Sequence, residues 1–421
     1  MDAWIAAAVF LVTYALIATE RADRTVVALA GGVLMIVLGV VDQQEAFRAI
    51  DLNVILLLAA MMVIAGILRG TGFFQWVAIR AVRLSRGSPL MLLVALATVT
   101  AVLSAFLDNV TTVVLVAPVT LYVAAAIGVS PMPFLISQIL ASNIGGAATL
   151  IGDPPNILIG SAAGLGFDAF ILNVAPVIVV IFLVFLWMTR RSFGPALAGH
   201  TTGEELLEAL DAEQVIEDHG LLVRALVVLG GTIVGFFVGA AFGLEPATVA
   251  LAGATALLLV SGVDPAAALR EVEWSTIAFF VGLFVLVEGV VAAGWVDAAA
   301  EWLVTVTAGD QTLTTIGLLW LSGIASGLVD NIPYTATMIP VVHALGDAGL
   351  RTDPLWWALS LGACLGGNAT IVGASANVVT AGMAARAGHP IGFRSFARYG
   401  IPVVVVSLAI STAYLWLRYL R

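Results

Sequence analysis

One long motif occurs twice in this chain, so the fold must accommodate two equivalent halves. The first copy runs Leu107-Asp108-Asn109-Val110-Thr111-Thr112, through Pro118, to Gly145-Gly146-Ala147-Ala148-Thr149-Leu150-Ile151-Gly152-Asp153-Pro154-Pro155-Asn156. The second runs Val329-Asp330-Asn331-Ile332-Pro333-Tyr334, through Pro340, to Gly366-Gly367-Asn368-Ala369-Thr370-Ile371-Val372-Gly373-Ala374-Ser375-Ala376-Asn377. Asp330 follows Asp108 by 222 residues and Asn377 follows Asn156 by 221, so the spacing barely drifts. Flanking positions correspond as well: Asp51 with Glu273, Gly72 with Gly294, Pro176 with Pro402. Each copy interrupts apolar sequence with Gly, Pro and Asn, the pattern of a secondary transporter built around broken helices.

Composition places the chain in a membrane. Of 421 residues 61% are hydrophobic and 10% charged, with a mean hydropathy of +1.09, outside the range of soluble domains. The net charge of −10 comes largely from one segment holding Glu204, Glu205, Glu208, Asp211, Glu213, Glu217 and Asp218; it implies no nucleic-acid partner. A single cysteine, Cys364, excludes an internal disulfide and a multi-cysteine metal site. No metal or cofactor is expected. The start, Met1-Asp2-Ala3-Trp4, lacks a positive n-region and reads as the first span.

The expected architecture is an all-α polytopic membrane protein of two inverted repeats, residues 1–191 and 221–421, joined by a cytoplasmic linker at 192–220. Spans are expected near 3–19, 25–41, 52–69, 134–160 and 168–189, then 221–242, 246–262, 275–295, 355–383 and 397–417. The stretches 89–127 and 312–345 carry Asp-Asn at their middles and read as re-entrant hairpins, each limb about 18 residues long. Segments 134–160 and 355–383 read as broken helices. Five crossings per half put the halves in opposite orientation. With the N-terminus outside, 13 of the 17 Arg fall on the cytoplasmic side, as the positive-inside rule requires. In this arrangement the Asp108 tip is reached from the cytoplasm and the Asp330 tip from outside. Thr201-x-x-Glu204 and Thr202-x-x-Glu205 fit capping boxes for a short amphipathic linker helix.

These motifs resemble the arsenite-permease/sodium–proton-antiporter family (ArsB/NhaD type), and within it the branch of the melanosomal P protein, with a citrate-transporter-like domain. The resemblance extends over nearly the whole chain from about residue 50. It implies the ion-transporter superfamily fold, in which two hairpin tips and two unwound helices meet at a central site. Where the related dicarboxylate symporters carry Ser, this chain has Asp108 and Asp330. That added negative charge disfavours a di- or trivalent carboxylate and favours a cation, a proton or a neutral hydroxide such as arsenous acid.

Physical chemistry supports a site at the same residues. Gly145-Gly146 and Gly366-Gly367 permit backbone angles closed to other residues, and Pro154-Pro155 removes two donors. A span broken there exposes N–H groups that attract anions and carbonyls that bind cations. Asn143, Thr149, Asn156, Asn368, Thr370 and Asn377 add neutral ligands around the breaks; Asn109, Thr111, Thr112, Asn331 and Thr335 do so at the tips. Asp108 and Asp330 cost several kcal/mol in apolar sequence unless paired, solvated or protonated, though each is also placed to cap the following limb. Asp153 reads equally as a ligand or as the cap of a helix starting at Pro154. Glu288, mid-span, joins Asp108 and Asp330 as a proton-coupling candidate. Cys364 reads as a small hydrophobe.

An aspartyl-protease reading fails because Leu150-Ile151-Gly152-Asp153 is not Gly-x-Gly-Asp. A Walker A pattern is impossible without Lys, so the chain is not itself an ATP-driven pump. The functional expectation is a secondary active transporter in the cytoplasmic membrane, moving a small inorganic ion or hydroxide by alternating access with H+ or Na+. Arsenite or antimonite efflux leads; sodium–proton antiport, anion transport and a passive channel are the alternatives. The expected partners are the solute, the coupling ion, the bilayer and, as an option, a second copy of the chain.

Overall fold

The computed structural model describes residues 2–19, 22–198 and 215–421. The capping boxes at Thr201 and Thr202 lie outside the described residues. Every regular element described is helical. Seven described helices are long and apolar enough to cross a membrane, or eight if one bent pair counts as a span.

The hairpins form as the Asp-Asn positions require. Pro89–Phe106 and Asn109–Ala126 are joined through extended Leu107, and Gln311–Leu328 and Asn331–Asp347 through extended Val329. At each turn the Asp is the N-cap of the returning arm. Asp108 accepts from the amides of Val110 (2.8 Å) and Thr111 (3.0 Å), and Asp330 from that of Ile332 (3.0 Å). Both tips end in the interior, for Asn109 and Asn331 are 3% and 2% exposed.

The breaks lie where the glycines and prolines stand. Met132–Gly146 is followed by Pro154–Ala163, and Thr352–Gly366 by a short helical turn and Ser375–Arg386. Each break is bolted to the incoming hairpin arm by matching bonds. Ser104 donates to the Ser142 carbonyl (2.7 Å) and Ser326 to that of Ala363 (2.6 Å). Thr149 donates to the Ala105 carbonyl, and Thr370 to that of Gly327. Gly145 and Gly366 allow the close approach: a Cβ would lie 2.1 Å from the Ala101 carbonyl oxygen or 2.4 Å from that of Gly323.

The packing has a pseudo-two-fold character. Pro89–Phe106 packs along Met132–Gly146, and Gln311–Leu328 along Thr352–Gly366. Between halves, Arg24–Val37 packs on Trp274–Ala292, and the counterparts Pro246–Ser261 and Leu52–Arg69 pack on each other. These four, with Asp2–Thr19 and His219–Gly239, form one set of helices; the hairpins, the broken helices, Ala175–Leu197 and Phe393–Leu415 form the other. Glycine makes the first crossing tight, a Cβ on Gly282 falling 2.5 Å from the Leu29 nitrogen, the close backbone approach that small residues give apolar helices.

Several elements differ from expectation. Gln43–Arg48, Phe73–Leu84, Pro265–Arg270 and Trp295–Thr307 are helices where connections were expected. Phe73–Leu84 buries Phe74, Ala78, Ile79, Ala81 and Val82 on one side. The expected span 168–189 begins as Phe167–Asn173, which lies at 111° to Pro154–Ala163, and resumes as Ala175–Leu197. Left-handed Gly164 (φ +64) ends the preceding helix and makes that corner. In the second half Phe393–Leu415 is continuous.

Candidate functional site

The two hairpin tips meet at one acid. Asp153, fully buried, is at the N-cap position of Pro154–Ala163, yet its carboxylate makes no cap bond. It turns inward instead. Asn331, from the second tip, donates to Oδ1 and Oδ2 at 3.2 and 3.3 Å, and Asn109, from the first, to Oδ1 at 3.3 Å. The expected cap is thus not formed, and the carboxylate is held by both hairpin tips instead.

An amide chain runs on from this acid. Asn109 also donates to Asn143 Oδ1 (3.1 Å), and Asn143 to Asn368 Oδ1 and Asn377 Oδ1, both at 2.9 Å. Asn368 ends on the Leu140 carbonyl (3.3 Å). All five Asn are at most 3% exposed. Every amide hydrogen of Asn109 and Asn143 is bound to an acceptor on the other side of a tip or a break, so the network fixes the tips against the broken helices.

Other expected ligands are occupied in building the breaks. Asn156 donates to the carbonyls of Ala147 (3.1 Å) and Thr149 (2.8 Å), and Asn377 to those of Gly367 (2.7 Å) and Thr370 (2.8 Å). Each Asn reaches back to carbonyls left free just after the preceding helix and in the break. Thr149, Thr370 and Thr335 spend their hydroxyls on backbone carbonyls, and Thr111 on Asp108. The Thr112 hydroxyl is buried without a partner. Gly146 and Gly367 lie against the returning Gly152 and Gly373 carbonyls. Ser360 (2.7 Å) and Cys364 (3.4 Å) donate to Asn156 Oδ1, so the thiol serves the network. Asn377→Ala strands two carbonyls in the interior. It should cost about 1–3 kcal/mol for each, read as a lower unfolding temperature of the purified protein in detergent.

The acids Asp108, Asp153 and Glu273 line one cleft with Arg24 and Ser375. An adjoining cleft shares Arg24 and Ser375 and reaches Asp330; another shares Glu273 and reaches Arg69 and Arg270. Both tips thus line clefts that share Arg24 and Ser375. Glu288 lines none of these clefts. It lies four helical turns beyond Glu273 on the same helix, about 20 Å along the axis.

Arg24, Ser375 and Glu273 are site residues that sequence reasoning left unassigned. Arg24 pairs with Asp330 (3.4 Å), and Ser375 donates to the same oxygen (2.9 Å). Tyr14 adds a bond to the Pro333 carbonyl (2.5 Å) at the second tip.

The sequence profile of the citrate transporter family matches residues 14–362. The chain belongs to this family. An uncharacterized transporter of Mycobacterium tuberculosis is 44% identical over 99% of this chain and 98% of its own length. The 46 kDa membrane protein of Mycobacterium leprae is 43% identical over 99% of each. The human P protein is 34% identical over 98% of this chain, which spans 59% of that longer protein. The crystal structure of the YdaH transporter from Alcanivorax borkumensis superimposes with a TM-score of 0.62 over 99% of this chain and 97% of its own, at 15% identity. It shares the fold. The expected ion-transporter superfamily resemblance, including the P-protein branch, is borne out, and the chain is a multi-pass membrane transporter.

Proposed function

We propose that this transporter moves a small inorganic cation or neutral hydroxide by alternating access, coupled to H+ or Na+ through Asp153 and the tip acids Asp108 and Asp330. Asp153 carries the reading. Its carboxylate is fully buried, and its hydrogen-bond partners at the tips are neutral amides. An anion so placed is costly without a proton or a cation. Because its donors come from both hairpins, displacing either tip changes what the acid can hold, and that differential binding is what couples occupancy to conformation.

Charge narrows the cargo. Asp108, Asp153, Glu273 and Asp330 face the clefts, and the Arg24 guanidinium among them is already paired. A free tricarboxylate would meet repulsion there, whereas a cation or an uncharged hydroxide would not. Arsenite or antimonite efflux remains the leading reading, with sodium–proton exchange through the same acids as the second. Purified protein in proteoliposomes, under an imposed pH or Na+ gradient, should concentrate arsenite or exchange sodium for protons, with silicate, chloride and citrate as comparisons. Movement that only dissipates gradients would make it a channel and overturn the proposal.

The proposed setting is the cytoplasmic membrane with the N-terminus outside, the 192–220 linker inside and the clefts open to the cytoplasm. The Arg asymmetry and the duplicated elements support this arrangement. Cysteines at Ala125 and His343, at the bases of the two hairpins, should be labelled from opposite sides in a Cys364→Ala background. Labelling of both from one side would eliminate the inverted repeat.

A further inference from the structure

The two tips are matched in backbone but not in partners. Among the described residues the Asp108 carboxylate accepts only from its own helix: the amides of Val110 and Thr111 and the Thr111 hydroxyl. Asp330 lies in a ring of groups from distant elements, with Arg24 Nη1 at 3.4 Å and Ser375 Oγ at 2.9 Å on the same oxygen. Arg24 also donates to Ser375, and its guanidinium sits 5.4 Å over the Phe279 ring. The positions equivalent to Arg24 and Ser375 in the other half are Pro246 and Pro154. Proline has no side-chain donor, so the pseudo-two-fold gives Asp108 no such ring. The ion pair also crosses between the two sets of helices: Arg24 belongs to the set with Trp274–Ala292, and Asp330 and Ser375 to the set with the hairpins.

We propose that Arg24 is a tethered cation for the second hairpin. Its guanidinium fills the Asp330 tip while the clefts stand open toward Arg24, leaving Asp108 as the tip that takes its cation or proton from solution. Any turnover that slides one helix set along the other must break this bond, so Arg24 also weights the equilibrium toward the arrangement seen here. The role rests on the reading of the tips as cation or proton sites. It gives Arg24 a positioning function, exerted through Asp330.

The test uses full-length protein in detergent micelles, where a maleimide reaches both faces, with a reporter cysteine at Val378 in the Asp330 cleft and Cys364→Ala as background. Arg24→Ala should slow labelling about tenfold, the scale of one charge-assisted bond, and Arg24→Lys should keep most of the rate. Asp330→Asn should slow labelling to a similar degree, and the double variant Arg24→Ala with Asp330→Asn should label no more slowly than either alone, because the two remove one bond. A purely structural Arg24 would add its own loss to that of Asp330→Asn. If Arg24→Ala does not fold, the exchanged pair Arg24→Asp with Asp330→Arg takes its place and should label at the parental rate. Unchanged labelling in Arg24→Ala, additive losses in the double variant, or a slow exchanged pair overturns the inference. Because no flux is measured, these outcomes are independent of whether Asp153 drives transport, and either proposal can fail alone.

Discussion

Asp153→Asn should abolish uphill transport while leaving the protein folded, with the loss at least about a hundredfold, as for removal of an obligatory proton-carrying group. The amide nearly matches the carboxylate in size, and its oxygen can still accept from Asn109 or Asn331, so the tips keep most of their anchoring. What disappears is the group that takes up a proton or cation. Removing an uncompensated buried anion relieves a desolvation cost, so the unfolding temperature should hold or rise. Asp108→Asn should keep its helix cap, since Asn caps about as well as Asp, and still lose gradient-driven uptake. Glu288→Gln should transport near normally, because Glu288 lies about four turns from Glu273 along its helix. Near-normal, pH-dependent uptake by Asp153→Asn together with failure of Glu288→Gln would move the coupling role to Glu288.

Gly145→Ala and Gly366→Ala should each prevent recovery of folded protein. The added methyl would sit 2.1 Å from the Ala101 carbonyl oxygen or 2.4 Å from that of Gly323. Both obstacles are backbone in a neighbouring helix, so relief requires separating the hairpin arm from the broken helix. That should cost upwards of about 3 kcal/mol and rupture the adjacent Ser104 or Ser326 bond. Gly128→Ala provides the contrast. Gly128 has a positive φ of +69 and nothing within 4 Å of a Cβ, so only the backbone penalty of about 1 kcal/mol remains. Yields and unfolding temperatures should separate Gly128→Ala clearly from the other two. Equal behaviour of all three would show that the arms are not in contact at these glycines.

The breaks and tips were legible because Gly, Pro and Asn have few structural uses inside apolar sequence. A polar interruption duplicated at a constant spacing has fewer still. The helix Phe73–Leu84 was not anticipated, although the helical spacing of Phe74, Ala78, Ile79, Ala81 and Val82 is in the sequence. Asp153 was half legible. Its place before Pro154 suggests a cap, and the amides of Asn109 and Asn331, 44 and 178 residues away, hold the carboxylate inward. Arg24 was the least readable. In sequence it is one more basic residue in a loop between spans, and its partner Asp330 lies 306 residues ahead in the other half. Local pattern carries caps, breaks and periodicity; it does not carry which distant side chain completes a charge.

The amide network also bears on how the chain is made. Asn331, which supplies two of the three tip bonds to Asp153, is synthesised long after that acid has left the ribosome. Until then Asp153 lacks two of its three tip bonds and Asn143 lacks both acceptors of its amide, in a lipid setting that penalises unpaired polar groups. The first half is therefore not a self-sufficient unit despite its own hairpin and broken helix. A truncated product ending in the linker is a substrate for membrane quality control, and two co-expressed halves can persist only by finding each other.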